Sequence, residues 1–302
     1  MKDDQLLEKI EAKYNDLGEN HETYLKGLLH AKPINYWEYI GVDTLLSLQN
    51  TRTNFKDEEI FIMYHQMTEL VLKMMVHEIK QLVYDDFKEE IWIDKLNRLN
   101  RYTALLITSF DVMKSGMSYE DYNTFRSTLT PASGFQSAQF RLLEIYCTSL
   151  GNLVNDEGKT RLSENPSLEE YFEHIYWKDA GYNRKTGKKS LTLRQFEEKY
   201  QNRFISLAKK VQTKTLEDKV LKMASISDAL KEALKSFDFQ YNVAWPNVHL
   251  HTAQHYLDKK GENQAATGGS EWKKYLHPKH QQRKFFPFLW TETEKNNWGE
   301  QK

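Results

Sequence analysis

The longest hydrophobic pattern in the chain lies between residues 57 and 84. Apolar side chains occupy almost every side of this segment, from Ile60 through Met75 to Ile79. Three acidic residues fill its first turn, where the helix dipole favours negative charge. A helix that is apolar nearly all round is typically surrounded by other helices, so the pattern predicts a central helix over 57–84.

Shorter segments with apolar residues three and four positions apart predict further helices. We expect a polar connector after Gly18, an extended aromatic segment over 35–42, and a short helix capped by Asp43. Glycine and proline make 151–192 the least regular part, with the basic run 184–189 in an exposed loop. The predicted helices cover 3–15, 44–49, 57–84, 88–114, the segment from Ser118 to a break at Pro131, 137–150, 167–177, 192–213, 215–244 and 245–257.

These elements predict an all-α fold, because no segment alternates well enough to predict strands and no internal repeat is present. We expect a single helical-bundle domain over 1–302. The helix over 3–15 is too short to be stable alone, so the arm 1–50 is expected to pack on a neighbouring subunit. Pro246 either kinks the helix before it or lies in the first turn of a new one. The apolar tail 285–290 is expected to pack on the body.

Composition narrows the class of protein. The 42 basic and 43 acidic residues give a net charge of -1, which offers no electrostatic case for nucleic acid or an anionic membrane. Cys147 is the single cysteine, so an intrachain disulfide is excluded. We expect this cysteine in the core. No apolar run has membrane-spanning length and the N-terminus has no signal-like region, so a soluble cytoplasmic protein is expected.

Three histidines, His249, His251 and His255, fall within seven residues. His251 and His255 share a helical face, which is a zinc-binding spacing, but Thr252 stands where a zinc protease has its glutamate. Taken singly, each histidine is more often an ordinary surface or core residue. His249 alone would suit haem, which needs one or two protein ligands and an apolar cavity. The spacing leaves these alternatives open.

Other candidate residues also have a plain structural interpretation. Phe61 and His65 share one helical face, so they could be a core pair or a wall against a ligand. Arg126, on one face with Tyr122, could be a surface arginine or a carboxylate clamp. The glycine turn 267–270 could be a flexible turn or a hydroxyl-donor loop. Each segment alone favours the structural interpretation.

Together, these segments resemble the tryptophan 2,3-dioxygenase family over roughly 35–145 and 235–290. The most specific signature is Tyr122-Asn-Thr-Phe-Arg126 followed by the run Ala132–Arg141, because this pairing rarely arises by chance. The other segments that carry the resemblance are Tyr36–Gln49, Asp57–Leu70, Trp245 with His249 four residues later, and Thr267–Ser270.

The resemblance implies a homotetrameric enzyme with a helical bundle around a haem pocket. Such an enzyme uses ferrous haem b and O₂ to cleave the indole C2–C3 bond of L-tryptophan, which gives N-formyl-L-kynurenine in the first step of tryptophan catabolism. It implies that His249 is the proximal haem ligand, that Trp245, four residues before it, also contacts the cofactor, and that Ser133 lies near the distal haem face. His251 and His255 are then bystanders.

The resemblance also implies a substrate site. His65 is the catalytic residue on the distal side and hydrogen-bonds the indole N–H, while Phe61 packs on the indole ring. Arg126 holds the substrate carboxylate, with Tyr122 beside it, and Thr267 contacts the ammonium group. The pocket is closed, from a neighbouring subunit, by Tyr36, Tyr39 and Ile40.

The chain departs from the family pattern around the haem helix. Pro246-Asn-Val248 stands where basic residues are usual, Ala266 and Trp272 stand where glycines are usual, and the connection from His249 to the glycine turn is longer. Two alternatives therefore remain. One is a haem-dependent oxygenase or hydroxylase of the same superfamily that acts on another indole or phenol. The other is a haem-binding sensor without turnover, which would not need a substrate clamp.

Overall fold

A computed structural model describes residues 3–129, 134–183, 187–257 and 276–300. The described part of the fold is all-α, as predicted, apart from one hairpin whose two strands have two residues each. Its helices are α1 Asp3–Asp16, α2 His21–His30, α3 Tyr36–Ile40, α4 Val42–Leu45, α5 Asp57–Tyr84, α6 Glu89–Ser115, α7 Tyr119–Phe125, α8 Ala138–Cys147, α9 Asp156–Arg161, α10 Leu168–Glu173, α11 Leu191–Val211, α12 Leu216–Leu221, α13 Asp228–Phe239, α14 Trp245–Leu257, α15 Pro278–Gln281 and α16 Glu292–Asn296.

Shorter turns connect these helices. The 3-10 turns are Arg126–Leu129, Gly134–Gln136, Leu150–Leu153, Tyr176–Gly181 and Pro287–Leu289. A π turn, Gln240–Ala244, leads directly into α14. Strands β1 Tyr182–Asn183 and β2 Lys188–Lys189 pair antiparallel. None of the described helices is both long and apolar enough to cross a membrane.

The chain divides into two compact units, residues 1–50 and 51–302. In the first unit the prediction was wrong between Gly18 and Val42. Helix α2 forms there because the Asn20 side chain accepts a hydrogen bond from the Glu22 amide at 2.8 Å. Helix α3 replaces the extended segment because Asn35 caps it in the same way. The left-handed Gly41, at φ 65°, then joins α3 to α4, so Asp43 lies inside α4 and does not cap it.

The core of the second unit forms where α5 packs on α6 and α8, and where α13 and α14 pack on α6. The predicted helices over 57–84 and 88–114 are confirmed to within one residue at each end. One face of α5 is buried from Val71 to Val83, whereas Met63, Leu70 and Met74 are exposed on another. Helix α5 is therefore central without being enclosed on all sides.

The predicted helix over 215–244 is interrupted at 222–227, and Ser227 caps the new helix α13 through the Leu230 amide. Pro246 is the second residue of α14 and so lies in the first turn of a new helix, as one of the two alternatives predicted, although a π turn joins this helix to α13 without a break. The Trp245 amide donates to the Gln240 carbonyl, five residues back, which widens the helix into a π turn. Since Pro246 has no N–H to donate, this wider turn lets the helical chain continue through it.

The described end of the basic run forms regular structure where an exposed loop was predicted. Residues 184–186 lie outside the described part of the chain, but Lys188 and Lys189 form β2. The Lys189 ammonium group lies 3.0 Å from the Glu197 carboxylate, so this lysine pins the hairpin to α11.

The apolar tail packs into the core, as predicted, with Phe285 and Phe286 fully buried. The buried carboxylate of Asp238 accepts hydrogen bonds from both of their amides, at 2.8 and 3.1 Å, and from the Trp290 indole N–H at 2.8 Å. Buried acceptors of this kind satisfy the backbone donors of an irregular segment, which explains how a tail without regular structure can lie in the core.

We expect Lys284→Met to stabilise the second unit at neutral pH. The Lys284 ammonium group lies over the Trp298 ring, and its partial burial lowers its pKa from 10.5 to about 8. Between pH 8 and 10.5 the Lys284 side chain is protonated in the unfolded chain but largely neutral in the folded one. The free energy of unfolding of the wild type therefore rises as pH increases from about 8 to 10.5. Below pH 8 the folded protein carries the full cost of burying the ammonium charge. Methionine removes that cost, which we put at about 1–3 kcal/mol because the side chain is only half buried.

Urea unfolding between pH 7 and 10.5 measures this difference. It should be largest at pH 7 and should shrink as pH rises through 8, where the wild-type lysine loses its proton. The exposed Lys199, which lies over the Tyr200 ring, provides Lys199→Met as the matched control without a comparable change. A Lys284→Met difference that does not depend on pH would contradict the electrostatic origin.

Candidate functional site

Four aromatic rings from α5 and α7 form one wall of the candidate site. The Phe61 and His65 rings lie 4.1 Å apart, one helical turn from each other on α5. Phe61 also lies 6.0 Å from the Tyr122 ring and 5.8 Å from the Phe125 ring of α7. The spacing prediction that placed Phe61 and His65 on one face is confirmed, and α7 adds Tyr122 to that face.

His249 reaches the same region from α14. Its ring lies 5.4 Å from the Phe110 ring of α6, Phe110 lies 5.9 Å from Tyr64, and Tyr64 lies 5.3 Å from His65. Burial is the larger cause, and the nearby His65 the smaller one, of a pKa of His249 that is lowered to about 4. The two imidazoles therefore share one environment, although 184 residues separate them in the sequence.

These side chains line an open recess. His65 is exposed to solvent, and Tyr122 and His249 are half buried. Desolvation by surrounding protein is nevertheless the largest cause of the lowered pKa of His65 and His249, and of the raised pKa of Tyr122. A side chain that is both accessible and desolvated lies on the wall of a cavity. We therefore place a recess between α5, α7 and α14.

The geometry of His65 defines the chemistry of its ring. Its Nδ1 lies 2.7 Å from the carbonyl oxygen of Phe61, and a carbonyl can only accept, so Nδ1 carries the proton. Burial lowers the pKa of His65 and so favours the neutral ring. Its Nε2 is then a hydrogen-bond acceptor that is available to a donor in the recess.

Arg126 provides the positive charge at this wall. Helix α7 starts at Ser118, whose hydroxyl accepts from the Asp121 amide at 3.2 Å, and Arg126 follows its last residue. Arg126 is half buried, and its charge opposes the rise that burial causes in the pKa of Tyr122. This position suits recognition of a carboxylate beside the tyrosine.

Trp245, predicted as a cofactor contact, has its ring in the hydrophobic core, 5.2 Å from Phe140 and 5.3 Å from Tyr241. Two further site residues escaped the sequence analysis. Phe110 is one of the buried apolar residues of α6, and neither Phe110 nor Tyr256 was singled out as a candidate. Only the three-dimensional packing of α6, α7 and α14 identifies both as neighbours of the recess.

Several predicted site residues are not tested by this geometry. Ser133 and Thr267 lie outside the described residues, as do Ala266 and Trp272. In the first unit, Tyr36, Tyr39 and Ile40 lie on α3 and are exposed. Their roles stay predictions.

The residues of the recess fit haem better than a bare metal ion. No group of three or more His, Cys, Asp or Glu in the described part of the chain is arranged to hold a metal. His251 is exposed, and the His255 ring instead contacts the Tyr119 ring at 6.1 Å. The lowered pKa keeps His249 neutral, with a lone pair for an axial bond, and the aromatic wall suits a flat macrocycle. These properties support one histidine ligand and not a multidentate site.

Comparison with known proteins gives a consistent result. The sequence model of the family described as tryptophan 2,3-dioxygenase matches residues 25–243. This match includes the segments that carry Phe61, His65, Tyr122 and Arg126, and it ends two residues before Trp245.

Individual relatives agree. The tryptophan 2,3-dioxygenase of Geobacillus thermodenitrificans is 30% identical over 277 residues, which cover 85% of this chain and 91% of that protein. Proteins of the same name from Ruegeria pomeroyi and Ruegeria sp. are 35% and 32% identical over 120 and 148 residues, 38% and 48% of this chain. The chain spans 42% and 47% of those two relatives, less than half of their length.

Proposed function

Because the chain belongs to the tryptophan 2,3-dioxygenase family, we propose that it is a haem-dependent dioxygenase that converts L-tryptophan and O₂ into N-formyl-L-kynurenine. One observation carries this proposal. Phe61, His65 and Tyr122 lie together, Arg126 lies near Tyr122, and His249 lies near His65. A protein that only bound haem or sensed a gas would not require a carboxylate-binding arginine there.

His249 would hold haem b through its neutral imidazole. When bound, haem would supply the redox-active ferrous iron that the reaction of O₂ with an indole needs. The rings of Phe110 and Tyr64 form an apolar surround on the described side of the recess. In the proposed arrangement Ser133 lies near the distal haem face.

The other residues position the substrate. The neutral His65 accepts the indole N–H at Nε2, since its Nδ1 proton is held by the Phe61 carbonyl. The Phe61 ring packs on the indole, and Arg126 binds the carboxylate beside Tyr122. Fixing both ends of the amino acid presents one edge of the indole to O₂, so much of the rate enhancement comes from orientation.

The proposal extends to residues and partners beyond this recess. Thr267 binds the substrate ammonium group, and a homotetramer brings Tyr36, Tyr39 and Ile40 of a neighbouring subunit to the pocket. The near-zero net charge gives no electrostatic support for nucleic acid or an anionic membrane as partner, and we propose a cytoplasmic enzyme.

A second candidate is a haem oxygenase or hydroxylase that acts on another indole or phenol. The family match ends before Trp245, and Pro246-Asn-Val248 departs from the usual basic residues just beyond it. Phe61, His65, Tyr122 and Arg126, in contrast, lie inside the matched region, which favours L-tryptophan.

Product analysis with ¹⁸O₂ tests the proposal. The reduced haem protein should convert L-tryptophan into N-formyl-L-kynurenine that carries two ¹⁸O atoms. A product with one ¹⁸O atom would support the second candidate. Failure of the haem-loaded, reduced protein to consume L-tryptophan would overturn the proposal, and a parallel panel of indoles and phenols would then identify the substrate class.

We expect Arg126→Ala to raise the KM for L-tryptophan about 10- to 100-fold, because a charge-assisted hydrogen bond to the carboxylate contributes about 1.5–3 kcal/mol. Steady-state kinetics measures the effect. Tryptamine, which lacks the carboxylate, should be a poor substrate of both proteins to the same extent. The exposed Arg101 of α6 provides the matched control, Arg101→Ala. An unchanged KM in Arg126→Ala would remove Arg126 from the site.

A further inference from the structure

We propose that Tyr256 is a positioning residue that holds Tyr122, and with it the substrate wall, against the helix that carries His249. This inference rests on the proposed function and extends it to a residue of α14 that neither the motifs nor the spacing identified. Tyr256 is buried and lies behind Tyr122, so it acts through that residue and does not contact the substrate.

The side chain of Tyr256 ties two helices together. It lies seven residues, about two turns, after His249 on α14, so both side chains leave the same face of the helix. Its hydroxyl donates a short hydrogen bond to the backbone carbonyl of Met113 on α6. A buried hydroxyl costs free energy unless it has a partner, so this bond selects one position of the end of α14 relative to α6.

The ring of Tyr256 supports α7. It lies 4.3 Å from the Tyr122 ring and stacks on the Tyr119 ring at 5.7 Å with an interplanar angle of 11°. Aromatic pairs at such distances stabilise the packing beyond the area that they bury. The backbone carbonyl of Tyr256 also accepts from the Tyr119 hydroxyl at 3.4 Å. Both tyrosines of α7 are therefore held by one residue of α14.

The start of α5 completes the cluster. The Asp57 carboxylate accepts from the amide of Ser118, the N-cap of α7, at 2.5 Å. Desolvation is the largest cause of a raised pKa of Tyr256, followed by the neighbouring Tyr122. The charge of the same Asp57 carboxylate is a third, smaller cause, so this carboxylate lies close to Tyr256. Helices α5, α6, α7 and α14 thus meet at Tyr256. Any displacement of its ring is transmitted to Tyr122, whose ring lies 6.0 Å from Phe61 in the recess.

Two substitutions separate the parts of this role. Tyr256→Phe keeps the stacked ring and removes only the bond to Met113, so we expect the KM for L-tryptophan to rise about 2- to 10-fold. Tyr256→Leu also removes the ring contacts with Tyr119 and Tyr122, and we expect a rise of about 10-fold or more. In both variants kcat should change by less than about 3-fold, because His249 and His65 remain in place.

Tyr200→Leu is the matched control. Tyr200 is half buried on α11, where its ring lies 5.0 Å from Phe196 and 6.0 Å from Phe204. This substitution should lower the melting temperature without moving KM. If KM depended only on general stability, it would change in the Tyr200 and Tyr256 variants alike. A positioning role instead predicts that KM rises only in the Tyr256 variants, and much less in Tyr256→Phe than in Tyr256→Leu.

Hydrogen exchange of the peptide that covers residues 119–125 gives a readout that needs neither haem nor turnover. Exchange in α7 should accelerate in Tyr256→Leu and stay at the wild-type level in Tyr200→Leu. If the wild type fails to oxidise L-tryptophan, the proposed function fails, and the exchange measurement still decides the role of Tyr256. Unchanged exchange in Tyr256→Leu, or a KM equal to that of the wild type, would overturn the inference.

Discussion

Replacing His249 by alanine is expected to abolish haem binding and, with it, all oxygenase activity. His249 is the proposed haem ligand, because burial and the nearby His65 hold its pKa near 4 and keep its lone pair free. Loss of a residue that merely supports a ligand typically costs about 10- to 100-fold, so loss of the ligand itself should exceed about 100-fold in activity.

The Soret absorbance per protein measures this loss directly. His251→Ala is the matched control, because His251 lies two residues later on the same helix and is exposed. It should keep full haem content. Added imidazole should partly restore the Soret band in a His249→Gly variant, since it can enter the space left by the side chain. If His249→Ala kept a normal Soret spectrum, the ligand would be a different residue, and the proposed arrangement of the recess would fail.

How much of this protein could be predicted depended on how local the signal was. The helix over 57–84 was predicted with its bounds because acidic residues at one end and an apolar run through it act within a few turns. Helix α2 was missed because it is only 10 residues long and its start depends on one asparagine cap. The π turn before Trp245 was missed because it needs a proline and the packing around it at the same time.

The site residues also divide into those that a local sequence signal could predict and those that depend on how the helices pack. Phe61 and His65, or Tyr122 and Arg126, are four residues apart, so helical geometry alone brought each pair onto one face. That Phe61, His65 and Tyr122 come together, with His249 near His65, depends on how the helices pack, which spacing cannot indicate. Only the resemblance to a known family predicted that these residues belong to one site. The structure adds two neighbours, Phe110 and Tyr256, which the resemblance did not include.

The buried polar residues were the least predictable feature, because their partners come from distant parts of the chain. Glu144 of α8 lies 2.8 Å from the Arg141 guanidinium and 2.7 Å from that of Arg283, and it accepts a bond from the Tyr176 hydroxyl at 2.5 Å. All four side chains are buried. One carboxylate thus holds two guanidinium groups, one of them from the C-terminal tail.

We expect Glu144→Gln to destabilise the second unit by about 3–5 kcal/mol, because it leaves two buried positive charges without their shared counter-charge. The amide is nearly the same size, so the loss reflects charge and not a cavity. Urea unfolding monitored by circular dichroism measures the change. The exposed pair of Glu157 and Arg161, 2.6 Å apart, provides the control Glu157→Gln, which should cost less than about 1 kcal/mol.

A double variant distinguishes electrostatics from shape. Adding Arg283→Met to Glu144→Gln removes one of the uncompensated charges, so part of the lost stability should return even though a further hydrogen bond is removed. A double variant less stable than Glu144→Gln alone would show that bond geometry, and not charge balance, governs the cluster.

The Arg141 guanidinium lies 4.4 Å from the Phe140 ring, which contacts Trp245. Haem content should therefore fall in Glu144→Gln and recover in the double variant in parallel with stability.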